Sequence, residues 1–213
     1  VYTPYGYDAT KEYKTLYVSH GGGGQEAEWM EIGAAANIMD NLIAAGEMAP
    51  VVMVTMDNTH FSFNAGKNII NNIIPTIEAK YAVSKEADDR AFCGLSSGSM
   101  QTNELAREYP NEFGYFGAFS GGNRDLNPEH YDKEALQKTG YYVSAGCIDM
   151  AYNNTMGISS IDYMKLLDTL EVKYDFELLS GAHDWGVWRE SLTRFAKNHL
   201  WNVETPSTLP AGP

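Results

Sequence analysis

Two kinds of run alternate along this chain. Short stretches rich in β-branched, aromatic and other apolar residues occupy positions 15–19, 51–56, 89–93, 115–120, 141–145 and 173–179, and read as strands. Between them lie segments whose apolar residues recur at helical spacing: 29–45, 65–81, 100–109, 159–170 and 185–200. A polar stretch with one short helix separates the fourth strand from the fifth. Short strands separated by helices predict an α/β fold, a mostly parallel sheet with helices on both faces. Such sheets bind ligands beyond the C-terminal ends of their strands, so chemistry is expected on the loops that follow strands.

The length of 213 residues, with 44% hydrophobic and 20% charged residues, suits one globular domain. We expect that domain over 1–202, followed by a Pro/Thr-rich tail or linker over 203–213. Positions 1–4 read as the end of a strand entering a turn, so further strands are expected upstream. A net charge of −13 argues against nucleic acid and anionic membrane as partners and is compatible with a neutral substrate. No apolar run approaches a membrane span. Cys93 and Cys147 are expected to be two small buried thiols rather than a disulfide. The histidines and cysteines lack zinc-ligand spacing, so no metal or cofactor is implied. The sequon Asn153-Asn154-Thr155 is too common a pattern to decide location.

The chemistry gathers around Gly94-Leu95-Ser96-Ser97-Gly98, a G-x-S-x-G pattern between a strand and a helix. There the chain must turn sharply, which pushes a serine out of the backbone at a helix N-terminus. A serine hydroxyl needs a histidine base, and the base needs an acid to hold its tautomer, in the chain order Ser, acid, His. Asp149 lies just past the fifth strand and is the expected acid. Asp125, Glu129, Asp132 and Asp162 are the alternatives. Of the five histidines, only His183 lies downstream of Asp149 on a strand-end loop. His199 reads as a helix cap or surface residue, and Asp184 as the cap of the last helix. A tetrahedral oxyanion needs N–H donors: the Ser97 N–H is one, and the loop His20-Gly21-Gly22-Gly23-Gly24 offers Gly22 or Gly23 as the other. Residues 118–122 (Ala-Phe-Ser-Gly-Gly) form a degenerate copy of the elbow, but no helix follows, so Ser120 reads as structural. Trp185, two residues after His183, is a candidate for aromatic substrate contact or for packing at the helix start.

Four segments together resemble the esterase D / carbohydrate esterase family 1 hydrolases. They are Tyr5-Gly6-Tyr7-Asp8 with the 16–24 glycine segment, Gly94-Leu95-Ser96-Ser97-Gly98-Ser99, Ser144-Ala145-Gly146-Cys147-Ile148-Asp149, and Gly181-Ala182-His183-Asp184-Trp185 with Trp188. The resemblance implies an α/β-hydrolase fold and a serine esterase with Ser96, His183 and Asp149 as its catalytic residues. Within the family, feruloyl esterases that release hydroxycinnamates from plant cell-wall arabinoxylan look closest. Acetyl xylan esterases are the alternative, and a non-catalytic carbohydrate-binding protein is an alternative of another class. The resemblance further implies feruloylated or acetylated polysaccharide as partner, secretion, and fusion to a carbohydrate-binding or docking module. Two positions depart from the family pattern: Ser97 stands where Met is usual and Ser99 where a second Gly is usual. Both are expected to alter the pocket wall.

Overall fold

The computed structural model describes residues 1–57, 65–153 and 158–201. Strands β1 (Lys14–Ser19), β2 (Val51–Met56), β3 (Arg90–Leu95), β4 (Tyr115–Phe119), β5 (Gly140–Gly146) and β6 (Asp175–Leu179) form one sheet. Its order is β2-β1-β3-β4-β5-β6, and every pairing is parallel. The chain steps outward from β1 to the edge strand β2, then crosses back to β3. Winding therefore reverses between β1 and β3, which is where open α/β sheets present a crevice.

Alternation along each strand feeds two cores. Tyr17, Phe92, Phe116 and Tyr141 point to one face, with Ile69, Ile77, Leu105 and Leu167. Those partners come from the helical run α3 (Ala65–Asn68) to α4 (Ile74–Lys80), from α5 (Ser97–Glu108) and from α7 (Ser160–Thr169). Leu16, Val18, Cys93 and Tyr142 point to the other face, against Trp29, Met39, Val187 and Leu192. These belong to α1 (Glu28–Glu31), α2 (Ala35–Ala44) and α8 (Trp185–Arg194). The short α6 (Lys133–Leu136) lies in the polar stretch between β4 and β5. Burial on both faces is what a parallel sheet requires, and the α/β architecture is as expected from the pattern.

Several boundaries differ. The helix expected over 29–45 is two helices, broken where Ala34 takes a left-handed φ of 52°. The 65–81 helix contains a π-helical turn at Ile69–Ile73, which ends two residues before Pro75, a residue with no N–H for the regular ladder. The helix after Ser96 starts at Ser97 rather than three residues later. Cys93 is buried in β3, but Cys147 is exposed because β5 ends at Gly146; both thiols are free. Tyr2 exchanges backbone hydrogen bonds with Met53 in an isolated antiparallel bridge before the turn at Pro4–Tyr7. The 203–213 tail, His60, and Asn154 and Thr155 of the sequon lie outside the described residues.

Candidate active site

Ser96 is the single residue between β3 and α5, and its φ/ψ of 55°/−114° is a strained backbone for a residue with a Cβ. Packing leaves it no other path. Its N–H donates to the Phe119 carbonyl at 2.9 Å. A Cβ on Gly94 would stand 2.6 Å from the Gly98 carbonyl, and one on Gly98 would stand 2.6 Å from the His20 carbonyl oxygen. The two glycines of the elbow are thus required by close backbone approach, one within the turn and one against the end of β1.

Asp149 sits three residues past β5. The loop that carries it is tied to the end of β6 by Cys147 N–H to Leu179 O (2.7 Å) and Ile148 N–H to Gly181 O (3.1 Å). The Asp149 side chain is fully buried. Its Oδ1 accepts from the Ala151 N–H at 2.7 Å and meets His183 Nδ1 at 2.9 Å. His183 Nε2 lies 2.9 Å from Ser96 Oγ. Because a carboxylate can only accept, Nδ1 carries the hydrogen and Nε2 is left to accept from the serine. Burial pushes the Asp149 carboxyl up, but hydrogen bonds from His183, Ser120 and the Ala151 N–H outweigh it, and its pKa lies below the ordinary value. Asp184 caps α8 by accepting from the Gly186 and Val187 N–H groups, as expected. That cap leaves the preceding imidazole free for Ser96.

The other candidate acids are engaged elsewhere. Asp125 pairs with His130 at 2.8 Å and reaches Arg107 at 3.9 Å. Asp132 caps α6, Asp162 pairs with Ser159 and Lys165, and Glu129 lies in the 3₁₀ turn Pro128–His130. His199 is not a surface residue: it pairs with Asp175 at 2.9 Å and stacks on Tyr142 at 4.5 Å.

The Ser97 N–H opens helix α5. Of the two glycines left open by the sequence, Gly22 lies beside the elbow, where a Cβ would be 3.7 Å from Ser97 Oγ. A Cβ on Gly23, at φ +74°, would meet nothing within 4 Å. The buried His20 ring steadies this loop through Nδ1 and the Gly21 carbonyl at 2.7 Å. Trp185 is half-buried, edge-on to Trp29 (5.2 Å) and to Trp188 (5.3 Å). Ser99 is not on a pocket wall: it is fully buried and donates to the Gly121 carbonyl at 3.0 Å. Sequence reasoning named Trp188 only as part of the histidine segment and gave it no role, yet its ring meets His183 edge-on at 5.0 Å; it also undervalued Ser120, which accepts from Trp188 Nε1 at 3.1 Å. The elbow-like copy at 118–122 was the available signal for Ser120. Among the described residues there is no cluster of three or more metal-ligating side chains, and no helix long and apolar enough to cross a membrane.

The family model "Esterase", described as putative esterase, matches residues 1–138. An endo-1,4-beta-xylanase/feruloyl esterase of Xylanibacter ruminicola is 32% identical over 93% of this chain and 28% of its own length. Endo-1,4-beta-xylanase Y of Acetivibrio thermocellus is 30% identical over 89% of this chain and 20% of its own. The chain therefore spans about a quarter of these relatives, at 28% and 20% of their lengths. The feruloyl esterase module from Clostridium thermocellum, solved with sinapinate, superposes with a TM-score of 0.78 at 24% identity, covering 96% of this chain and 83% of that one. That likeness makes the fold an α/β-hydrolase fold.

Proposed function

The chain belongs to the Esterase family, and from that premise we propose that it is a feruloyl esterase, a serine carboxylic ester hydrolase that releases hydroxycinnamates from plant cell-wall arabinoxylan. The observation that carries the reading is the unbroken run Asp149–His183–Ser96, with 2.9 Å at each step, at the C-terminal edge of the sheet. The names of two relatives and neighbours, a xylanase/feruloyl esterase and a feruloyl esterase module holding sinapinate, support the acyl group.

In this reading Ser96 Oγ attacks the ester carbonyl while His183 Nε2 takes its proton. Asp149 holds the imidazole tautomer and stabilises the imidazolium. The Ser97 and Gly22 N–H groups receive the tetrahedral oxyanion. His183 then protonates the leaving sugar alcohol, and the acyl-enzyme forms. Water, deprotonated by the same histidine, attacks that ester, and ferulate leaves as Ser96 regains its proton. Trp185 offers its remaining exposed edge to the hydroxycinnamoyl ring. The relatives are much longer than this chain, which supports a modular parent protein with a carbohydrate-binding or docking unit, and a secreted location where polysaccharide is met.

Two assays test the proposal. Methyl ferulate and acetylated xylan are offered to the protein, and a fluorophosphonate is used to label Ser96. Ferulate release with labelling at Ser96 is the expected result. Acetate release alone would make the protein an acetyl xylan esterase. No labelling would remove the serine mechanism and leave a carbohydrate-binding protein.

A further inference from the structure

Ser120 stands where the sheet places it between the two halves of the site. β3, β4 and β5 are consecutive neighbours, with Leu95 paired to Phe119 and Phe119 to Ser144. Ser96 follows β3, Ser120 follows β4, and Asp149 lies on the loop after β5. The backbone ties run in the same direction: Ser96 N–H to Phe119 O, then Ser120 N–H to Ser144 O at 2.8 Å. Like Ser96, Ser120 has a left-handed backbone, with φ of 58°. Such a backbone in a residue other than glycine is strained and persists only where the surroundings hold it.

Those surroundings can be named. Ser99 Oγ donates to the Gly121 carbonyl at 3.0 Å, and Asn103 Nδ2 donates to the Gly122 carbonyl at 2.9 Å. Asn103 is itself held by the Tyr141 hydroxyl at 2.6 Å. The Gly122 N–H donates to Ile158 O at 2.9 Å. Helix α5, strand β5 and the segment before α7 thus all fix the chain just after Ser120. The side chain is 1% exposed, and its oxygen accepts from Trp188 Nε1 at 3.1 Å, which leaves the hydroxyl hydrogen to point away from the indole. Asp149 stands on the loop after the neighbouring strand β5; its Oδ1 is taken by His183 and Ala151, while its buried Oδ2 has no hydrogen-bond partner. A hydrogen bond from the Ser120 hydroxyl is among the causes that hold the Asp149 carboxyl below its ordinary value. Trp188 closes the circuit by meeting the His183 ring edge-on at 5.0 Å and 88°.

We infer that Ser120 is a positioning residue of the site: oriented by Trp188, its hydroxyl is turned toward Asp149 Oδ2 and fixes the carboxylate that holds His183. The inference rests on the proposed esterase reading. Ser120 acts through Asp149. Its hydroxyl disperses part of the carboxylate charge, so its removal leaves that carboxylate free to turn and more attractive to a protonated imidazole. Among the described residues, the titratable groups next to His183 are Asp149 and, one residue along the chain, Asp184. The Asp184 carboxylate is occupied by the Ala182, Gly186 and Val187 N–H groups.

The test compares wild type with Ser120→Ala, Ser120→Gly, Trp188→Phe and the Ser120→Ala/Trp188→Phe double variant. Ser120→Gly removes the hydroxyl and suits the left-handed backbone, so it reports even if the alanine variant folds poorly. Loss of a hydrogen bond to a charged group predicts that kcat on methyl ferulate falls on the order of tenfold in either Ser120 variant, with KM unchanged. The acidic limb of the kcat/KM profile moves to higher pH, which a merely structural role would not produce. Trp188→Phe keeps the ring against His183, so it loses less, and the double variant is no slower than Ser120→Ala because both act through one contact. An unmoved pH profile with wild-type kcat in Ser120→Gly, or fully additive losses in the double variant, would overturn the inference. Fluorophosphonate labelling of Ser96 separates the two failures. If the wild type does not turn over methyl ferulate, the substrate reading falls, while a labelling rate about tenfold slower in Ser120→Gly still supports the inference and an unchanged rate ends it.

Discussion

Replacing Asp149 with Asn removes one charge and almost nothing else, and the structure says how large the loss should be. The Ala151 N–H donates to Asp149 Oδ1 at 2.7 Å, the same oxygen that meets His183 Nδ1 at 2.9 Å. An amide placed here keeps its oxygen on that N–H, because its own NH₂ would face a donor if it turned over. The oxygen therefore still accepts from Nδ1, and the productive tautomer survives. What disappears is the attraction between a carboxylate and the imidazolium that forms as Ser96 attacks. Unit charges about 4 Å apart at an effective dielectric near 20 attract by about 4 kcal/mol, which is roughly 10³ in rate. Steady-state kinetics on methyl ferulate should show kcat down about 10³ with KM unchanged. Thermal unfolding should keep Tm within a few degrees of wild type but below it, since the NH₂ that replaces Oδ2 faces the Ser120 hydroxyl hydrogen and the stabilising charge is gone. A loss below about tenfold would refute Asp149 as the partner of His183. A loss of about 10⁴ with intact Tm, the size expected of a wrong tautomer, would refute the claim that Ala151 sets the orientation.

Other perturbations probe the same frame. Ser96→Ala or His183→Ala should each lower kcat by about 10⁶, because the three residues act as a unit, and near-normal turnover in either would end the mechanism. Gly98→Ala pushes a Cβ to within 2.6 Å of the His20 carbonyl, so α5 must move off β1. Overpacking of this kind costs about 1–3 kcal/mol and should lower Tm by several degrees while abolishing fluorophosphonate labelling; an unchanged Tm would contradict the packing. Stability against pH tests the depressed Asp149 carboxyl. Its folded pKa lies below the unfolded value of about 3.9, so its contribution is present above that value and lost as pH falls through the folded one. Urea midpoints of wild type relative to Asp149→Asn should decline as pH drops below about 4, and a constant difference would rule out the shift.

Much of this arrangement is legible in the chain, and the rest is hidden for identifiable reasons. The parallel sheet follows from apolar runs such as Val51–Met56, and the elbow from the glycines that the turn requires. Local pattern fails where a distant contact decides the outcome. The apolar spacing of 29–45 continues across Ala34, yet the helix breaks there, with Trp29 set against Phe119 and Trp185 at 6.4 and 5.2 Å. His199 is polar and near a helix end, which reads as surface. The π-helical turn at Phe195–His199 shifts the helical register and brings the ring onto Tyr142. Gly22 and Gly23 carry no side chains by which a sequence could tell them apart, and only the folded chain shows that Gly22 is the one beside Ser97.

The position of Ser120 follows from the sheet order itself. On the β3-β4-β5-β6 side, spatial order equals chain order, so Ser96, Asp149 and His183 arrive along the sheet edge in the sequence Ser, acid, His. Ser96 and Asp149 are nevertheless delivered by strands that are not neighbours, with β4 between them. Whatever follows β4 is therefore enclosed by the elbow on one side and the acid loop on the other. A polar group enclosed in that way must be hydrogen-bonded or it destabilises the fold. Serine satisfies the place with one small group that accepts from Trp188 Nε1 and presents its hydrogen toward Asp149. An apolar residue of similar size would leave the indole N–H and the carboxylate oxygen both unpaired. The serine in the imperfect copy of the elbow thus has a physical reason to be a serine, although it is not a nucleophile.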